Sequence, residues 1–244
     1  MPKLCRKPTC SCSYQDVTEE GFKARIEEWA YEDGGHMEET IGYIAIPEGN
    51  YTFNNGNAGN LKIEAGKISK VKNNWKTIEF KEPFLSEPPI VLTQAQNYYS
   101  GRPDPIVTRN RNISNGSFEV RVQEEEVKGR HGYETVGYIA ITPFAGNIDG
   151  IEIDAAIGRG PSGYVRGITH AAKTMVFNES FSDTPVFIAD MQTCNGNDTA
   201  GLRYTLLTVG SATIFVEEEQ SKDPEIVHYK KERVGYITMH RYQP

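Results

Sequence analysis

The sequence predicts an all-β protein of tandem antiparallel β-sandwich repeats, with a truncated half repeat at its N-terminal end. Three observations predict it. Ile41-Gly42-Tyr43-Ile44-Ala45-Ile46 returns as Val136-Gly137-Tyr138-Ile139-Ala140-Ile141 and again as Val234-Gly235-Tyr236-Ile237-Thr238-Met239, the glycines standing 95 and then 98 residues apart. That period suits a small domain and is too long for a solenoid turn. Each copy of this cassette alternates in twos with apolar residues on both sides, the pattern of a strand buried on both faces. Short alternating runs are punctuated by Gly, Pro, Asn and Ser roughly every ten residues and no run has clear helical spacing, as in sandwiches.

Taken in order, residues 1–13 read as a tail in which Cys5, Cys10 and Cys12 crowd together while Cys194 stands alone. No Cys or His pair at zinc-site spacing follows, so the tail is read as a flexible segment able to form disulfides within itself or to a neighbouring chain. Residues 14–46 are the truncated repeat. Phe22, Ile26 and Trp29 have a helix-like spacing, but their counterparts at 118–124 and 212–217 alternate in twos. The run 22–29 is therefore read as a strand with Phe22, Ala24 and Ile26 on one buried face. All three of these strands end in acid, at Glu27-Glu28, Glu124-Glu125-Glu126 and Glu217-Glu218-Glu219, before a polar connection returns to the cassette. This predicts a long-looped antiparallel pair whose acidic ends are solvated.

Residues 47–145 form the first whole repeat. After an Asn/Gly-rich loop around 54–60 come strands at 61–65, 75–80, 90–96, 105–111 and 118–124, then the cassette. Residues 146–244 repeat that order, following a second loop at 142–150, with strands at 151–155, 172–177, 187–193, 202–207 and 212–217. The half repeat holds only the last strands, and an isolated two-stranded unit is marginal in water. It is expected either to join the sheet of a whole repeat in its own chain or, the favoured route, to complete a neighbour's sandwich, giving a homo-oligomer or fibre through residues 14–46.

The net charge of −7 argues against nucleic acid and against an anionic membrane surface, which both select a basic footprint. No apolar run of about 18 residues is present to span a membrane, and the basic start Met1 to Lys7 is followed by no apolar stretch of a signal peptide.

The place most suited to a ligand is the connection before each cassette. It carries Trp29, Tyr31, Asp33 and His36 in the first repeat and His131 and Tyr133 in the second, the two histidines each six residues ahead of the cassette glycine. Aromatic faces beside His, Asp and guanidinium or amide donors suit a sugar, because rings stack on its C–H faces and polar groups fix its hydroxyls. No carboxylate pair is singled out for glycoside hydrolysis, and no phosphate loop, nucleophile elbow or His-Glu-x-x-His motif occurs, so a non-enzymatic protein is expected. No cofactor is implied. The acid runs could hold Ca²⁺ but lack a ligand pattern.

The words Trp75-Lys76-Thr77-Ile78-Glu79-Phe80, Phe84 with Pro89-Ile90-Val91, Asn112 with Phe118-Glu119-Val120-Arg121-Val122, and Gly137-Tyr138-Ile139-Ala140 resemble the H-type lectin-like β-sandwich repeat over most of 61–141 and 164–239. The resemblance implies small antiparallel sandwiches that oligomerise, an extracellular or cell-surface setting, and a glycan or polysaccharide as partner. His131 and Arg109 are its loose equivalents of the lectin's loop residues. The alternative is a structural or matrix repeat protein without a small-molecule site.

Overall fold

The structure, a computed structural model, describes residues 10–32, 34–54, 60–97, 105–128, 131–163 and 167–241. Its regular structure is all strand. One sandwich has a four-stranded sheet ordered β3-β4-β9-β6, formed by β3 (Gly49–Asn54), β4 (Asn60–Val71), β9 (Glu134–Ile141) and β6 (Ile90–Ala95). Its second sheet is ordered β5-β8-β7, from β5 (Lys76–Glu79), β8 (Ser117–Gln123) and β7 (Val107–Arg111).

The next sandwich repeats this plan strand for strand. β10 (Phe144–Ile148), β11 (Ile151–Ile157), β16 (Val234–Arg241) and β13 (Val186–Met191) form one sheet in the order β10-β11-β16-β13. β12 (Lys173–Val176), β15 (Ser211–Glu218) and β14 (Ala200–Leu207) form the other in the order β12-β15-β14. Each sandwich therefore has seven strands where the sequence suggested five or six. The added ones are β3 and β10; the latter lies in the run read as a loop at 142–150 and begins before the expected boundary at 145. These strands sit at sheet edges beside β4 and β11, where pairing compensates for a weak pattern of side chains.

The cassette's two apolar faces have separate destinations. Val136, Tyr138 and Ala140 of β9 join Phe80, Phe84, Val91 and the inward row Phe118, Val120 and Val122 of β8 in the core of their own sandwich. Ile139 and Ile141 point the other way, with Leu61, Ile63, Ile90 and Leu92, and meet Phe144, Ile153, Ala155 and Ile237 of the next sandwich. The two four-stranded sheets are thus joined through a shared apolar layer. The cassette tyrosine has a fixed partner: Tyr138 donates to the buried Glu64 at 2.8 Å and Tyr236 to the buried Asp154 at 3.0 Å. The glycine makes room, since a Cβ on Gly137 would stand 2.1 Å from the Gln96 amide and one on Gly235 2.9 Å from that of Gln192. Gln192 uses this space to bond both backbone groups of Val91, in the preceding sandwich, at 2.9 and 2.8 Å.

The first unit differs from its expected form. β1 (Cys10–Gln15) pairs with β2 (Lys23–Glu28), so the segment read as a tail to residue 13 already contains strand; residues 1–9, with Cys5, lie outside the described residues. The cassette segment 39–46 forms no strand and has no strand partner among the described residues. Nor do the strand before it and the cassette form an antiparallel pair in any unit: β8 and β9, like β15 and β16, belong to opposite sheets. The buried face expected of Phe22, Ala24 and Ile26 is half-exposed, because its covering strands have no counterpart here. Ile44 and Ile46 nevertheless pack onto the shared apolar layer.

Candidate functional site

In the connections read as ligand sites, the histidines bond within their own units. In each unit a histidine lies between a glutamate at the end of one sheet's strand and a glutamate three residues before the cassette glycine. His36 Nδ1 is 3.2 Å from Glu28 and its Nε2 3.1 Å from Glu39. His131 meets Glu124 at 3.2 Å and Glu134 at 2.7 Å. His228, fully buried, meets Glu218 at 2.6 Å, and its Nε2 stands 3.3 Å from Glu232. A histidine ring can donate from both nitrogens only as the imidazolium. In the second and third units the clamp ties the two sheets together at one end, and in the first it ties β2 to the cassette segment.

At His131 burial works to lower the pKa, but hydrogen bonds and charge from Glu134 and Glu124 outweigh it and raise it above the usual histidine value. A histidine raised in the folded state contributes stability that is complete below its unfolded value of about 6.5. That contribution is lost as pH rises through the folded value. The stability difference between the native protein and His131→Gln should therefore be larger at pH 6 than at pH 9 in urea titrations. An equal difference at both pH values would show that the ring is neutral in the clamp.

The acidic strand ends are not solvated. Among them Glu124, Glu125, Glu217, Glu218 and Glu219 are all buried, and the side chains of Glu125 and Glu219 join one unit to the next. The Ala30 amide donates to Glu125, and the equivalent Glu126 amide donates to Glu219 at 3.0 Å. The third equivalent, the Gln220 amide, donates at 3.0 Å to the hydroxyl of Tyr31 in the first unit. The links run first to second, second to third and third to first, so the three units close in a ring. Among the described residues no group of three or more His, Cys, Asp or Glu side chains is disposed to hold a metal ion.

Arg109 belongs to this assembly as well. Fully buried on β7, it donates to Gln123 at 3.1 Å and to Glu232 of the following unit at 3.1 Å. Glu232 also accepts from the amides of Asn195 and Gly196 and from the Thr193 hydroxyl. Burial acts to raise its pKa, but these bonds and the facing His228 and Arg109 hold it below the usual carboxylate range. Beside it Asn110 donates to Asp190 of β13 at 2.8 Å. Removal from water pushes the Asp190 carboxyl up to about 7, against the pull of hydrogen bonds from Thr93.

Of the expected ligand residues, then, Trp29 is buried, His36 and His131 are clamped and Arg109 is sealed at a junction. Asp33 lies outside the described residues. Tyr31 and Tyr133 remain exposed, the latter with Lys72 Nζ 5.3 Å from its ring centre. Sequence reasoning passed over the constant glutamates, Glu39, Glu134 and Glu232, though their fixed distance from the cassette glycine was a visible signal.

No family model matches the chain, and no solved structure matches it. Halomucin of Haloquadratum walsbyi is similar to it, 28% identical over 231 residues that cover 91% of this chain. The match spans 2% of that protein's length.

Proposed function

We propose that the chain is a non-enzymatic architectural module of an extracellular or surface protein, structural or adhesive, built of H-type lectin-like sandwiches. One observation carries this reading: the histidine, arginine and carboxylate side chains that would serve a ligand are spent on joining sheets within a unit and units within a ring. The similarity to halomucin supports the surface setting, because its name is that of a mucin. The acidic net charge keeps such a module soluble and discourages polyanionic partners.

Glycan binding is the competing reading, and Tyr31 and Tyr133 are the residues on which it rests. The full chain applied to a glycan array, with and without Ca²⁺, should retain no sugar, while His131→Ala should lower its unfolding midpoint. Retention of a sugar by the native protein that is lost in Tyr31→Ala or Tyr133→Ala would overturn the architectural reading in favour of a lectin.

A further inference from the structure

We propose that the first unit is an acceptor for a polypeptide segment carrying counterparts of β3 to β6, which would complete it as a third sandwich of the ring. The inference rests on the architectural reading above and names the partner that reading requires. In the two finished units the cassette strand is central, β9 lying between β4 and β6 and β16 between β11 and β13. Residues 39–46 occupy the same place, with Ile44 and Ile46 already seated in the shared apolar layer. Yet both edges of this segment lack a strand partner among the described residues. A segment of strand-like alternation with both edges open is a template for added strands.

The equivalences define what must be added. Tyr138 and Tyr236 are 9% and 1% exposed, each bonded to a buried acid of β4 or β11, whereas Tyr43 is 57% exposed. The added segment must bring an acid to Tyr43. The space in front of Gly137 and Gly235 is filled by Gln96 and Gln192, but a Cβ on Gly42 would find only Val186 Cγ1, at 3.5 Å. The segment must bring a glutamine to that position. Phe118 stacks on Phe80 with ring centres 5.5 Å apart, while its counterpart Phe22 has Tyr14 and Tyr43 beside it and no ring from a β5 counterpart. The segment must bring an aromatic there.

The ring supplies an independent argument. β1 meets β6 of the second unit, where Gln94 donates to the Cys12 carbonyl at 2.8 Å, and β7 meets β13 of the third unit through Asn110 and Asp190. Continuing round, β14 of the third unit should meet the β6 counterpart of the first. Its Tyr204 is exposed, where Asn110 at the corresponding place on β7 is buried. A second copy of this chain is a poor occupant, because its own β3 to β6 and β10 to β13 are engaged in finished sandwiches and one of these would have to open.

The test extends the full chain at its N-terminal end with a duplicate of residues 47–97. Hydrogen exchange should show the amides of 40–46 slowed by about 100-fold or more in the extended protein, with the particle monomeric by light scattering. Gly42→Val should be neutral in the native chain and should abolish the gain in the extended one, because the incoming glutamine needs that space. Amides of 40–46 that exchange equally fast with and without the duplicate would overturn the proposal. So would protection in the native chain accompanied by a dimer mass, which would make the partner a second copy. Neither readout depends on whether a glycan binds, so the proposal and the architectural reading can fail separately.

Discussion

Replacing Arg109 with leucine should lower the protein's stability by about 3–5 kcal/mol, the cost of leaving one half of a buried ion pair without the other. Glu232 would remain buried and oriented by Asn195, Gly196 and Thr193, with the guanidinium gone from beside it. Leucine replaces much of the arginine's volume, so lost packing alone does not account for such a loss. The double variant Arg109→Leu, Glu232→Leu should recover only part of it. Pair removal is often neutral elsewhere, but here it strands the two backbone amides that Glu232 now satisfies. The comparison that isolates the junction is Arg203→Leu. Arg203 occupies on β14 the place of Arg109 on β7, and it pairs with Glu217 of its own unit at 3.4 Å. That pair lies between neighbouring strands of one sheet and crosses no junction between units, so its removal leaves the second and third units joined. Guanidinium titrations that gave the two variants equal losses would mean that Arg109 does not hold the second and third units together.

This contrast marks the boundary of what local pattern encodes. Alternation identified β8 and β15 and the two-faced burial of β9 and β16, because a strand's side chains report how much of each face is covered. It could not say what covers them. The cassette's outer face was visible as apolar in Ile139 and Ile141, yet that it meets Ile153 and Ile237 of the next sandwich is a matter of how two complete units sit together. The acid runs show the same limit more sharply. Consecutive glutamates at a strand end normally denote solvent, since burying them without partners is costly. Glu125 and Glu219 escape that cost because a neighbouring unit's backbone amide is aimed at each, and nothing within their own strands announces it. His36 and His131 looked like ligand residues for a related reason: a polar side chain recurring in a loop fits a binding site and a structural clamp equally well. Only the matching recurrence of glutamate at both of its nitrogens separates the two.

The sequence also treats Phe22, Phe118 and Ala212 as one position in three units, and their substitution should show how differently one position can behave. Phe118 is fully buried, with ring centres 5.5 Å from Phe80 and 5.4 Å from Tyr138. Phe118→Ala should therefore cost about 3–5 kcal/mol. Phe22→Ala removes the same atoms from a half-exposed face, where the ring meets only Tyr14 at 5.3 Å and Tyr43 at 5.0 Å. It should cost about 1 kcal/mol, near the value of an aromatic pair with little burial behind it. In the third unit alanine is already present and buried at 212, and the volume comes from elsewhere. Phe187, in register with Val91 of the second unit, stacks on Phe177 at 5.8 Å and lies 6.2 Å from Tyr236. The second and third units have thus exchanged a large and a small residue across one core, and cores tolerate exchanges that conserve volume. Val91→Phe introduced into Phe118→Ala should restore a measurable part of the lost stability, whereas Val91→Phe alone should overpack the core and cost about 1–3 kcal/mol. Thermal or denaturant midpoints decide the matter. If the double variant were no more stable than Phe118→Ala, the two cores would not be interchangeable packings of one fold.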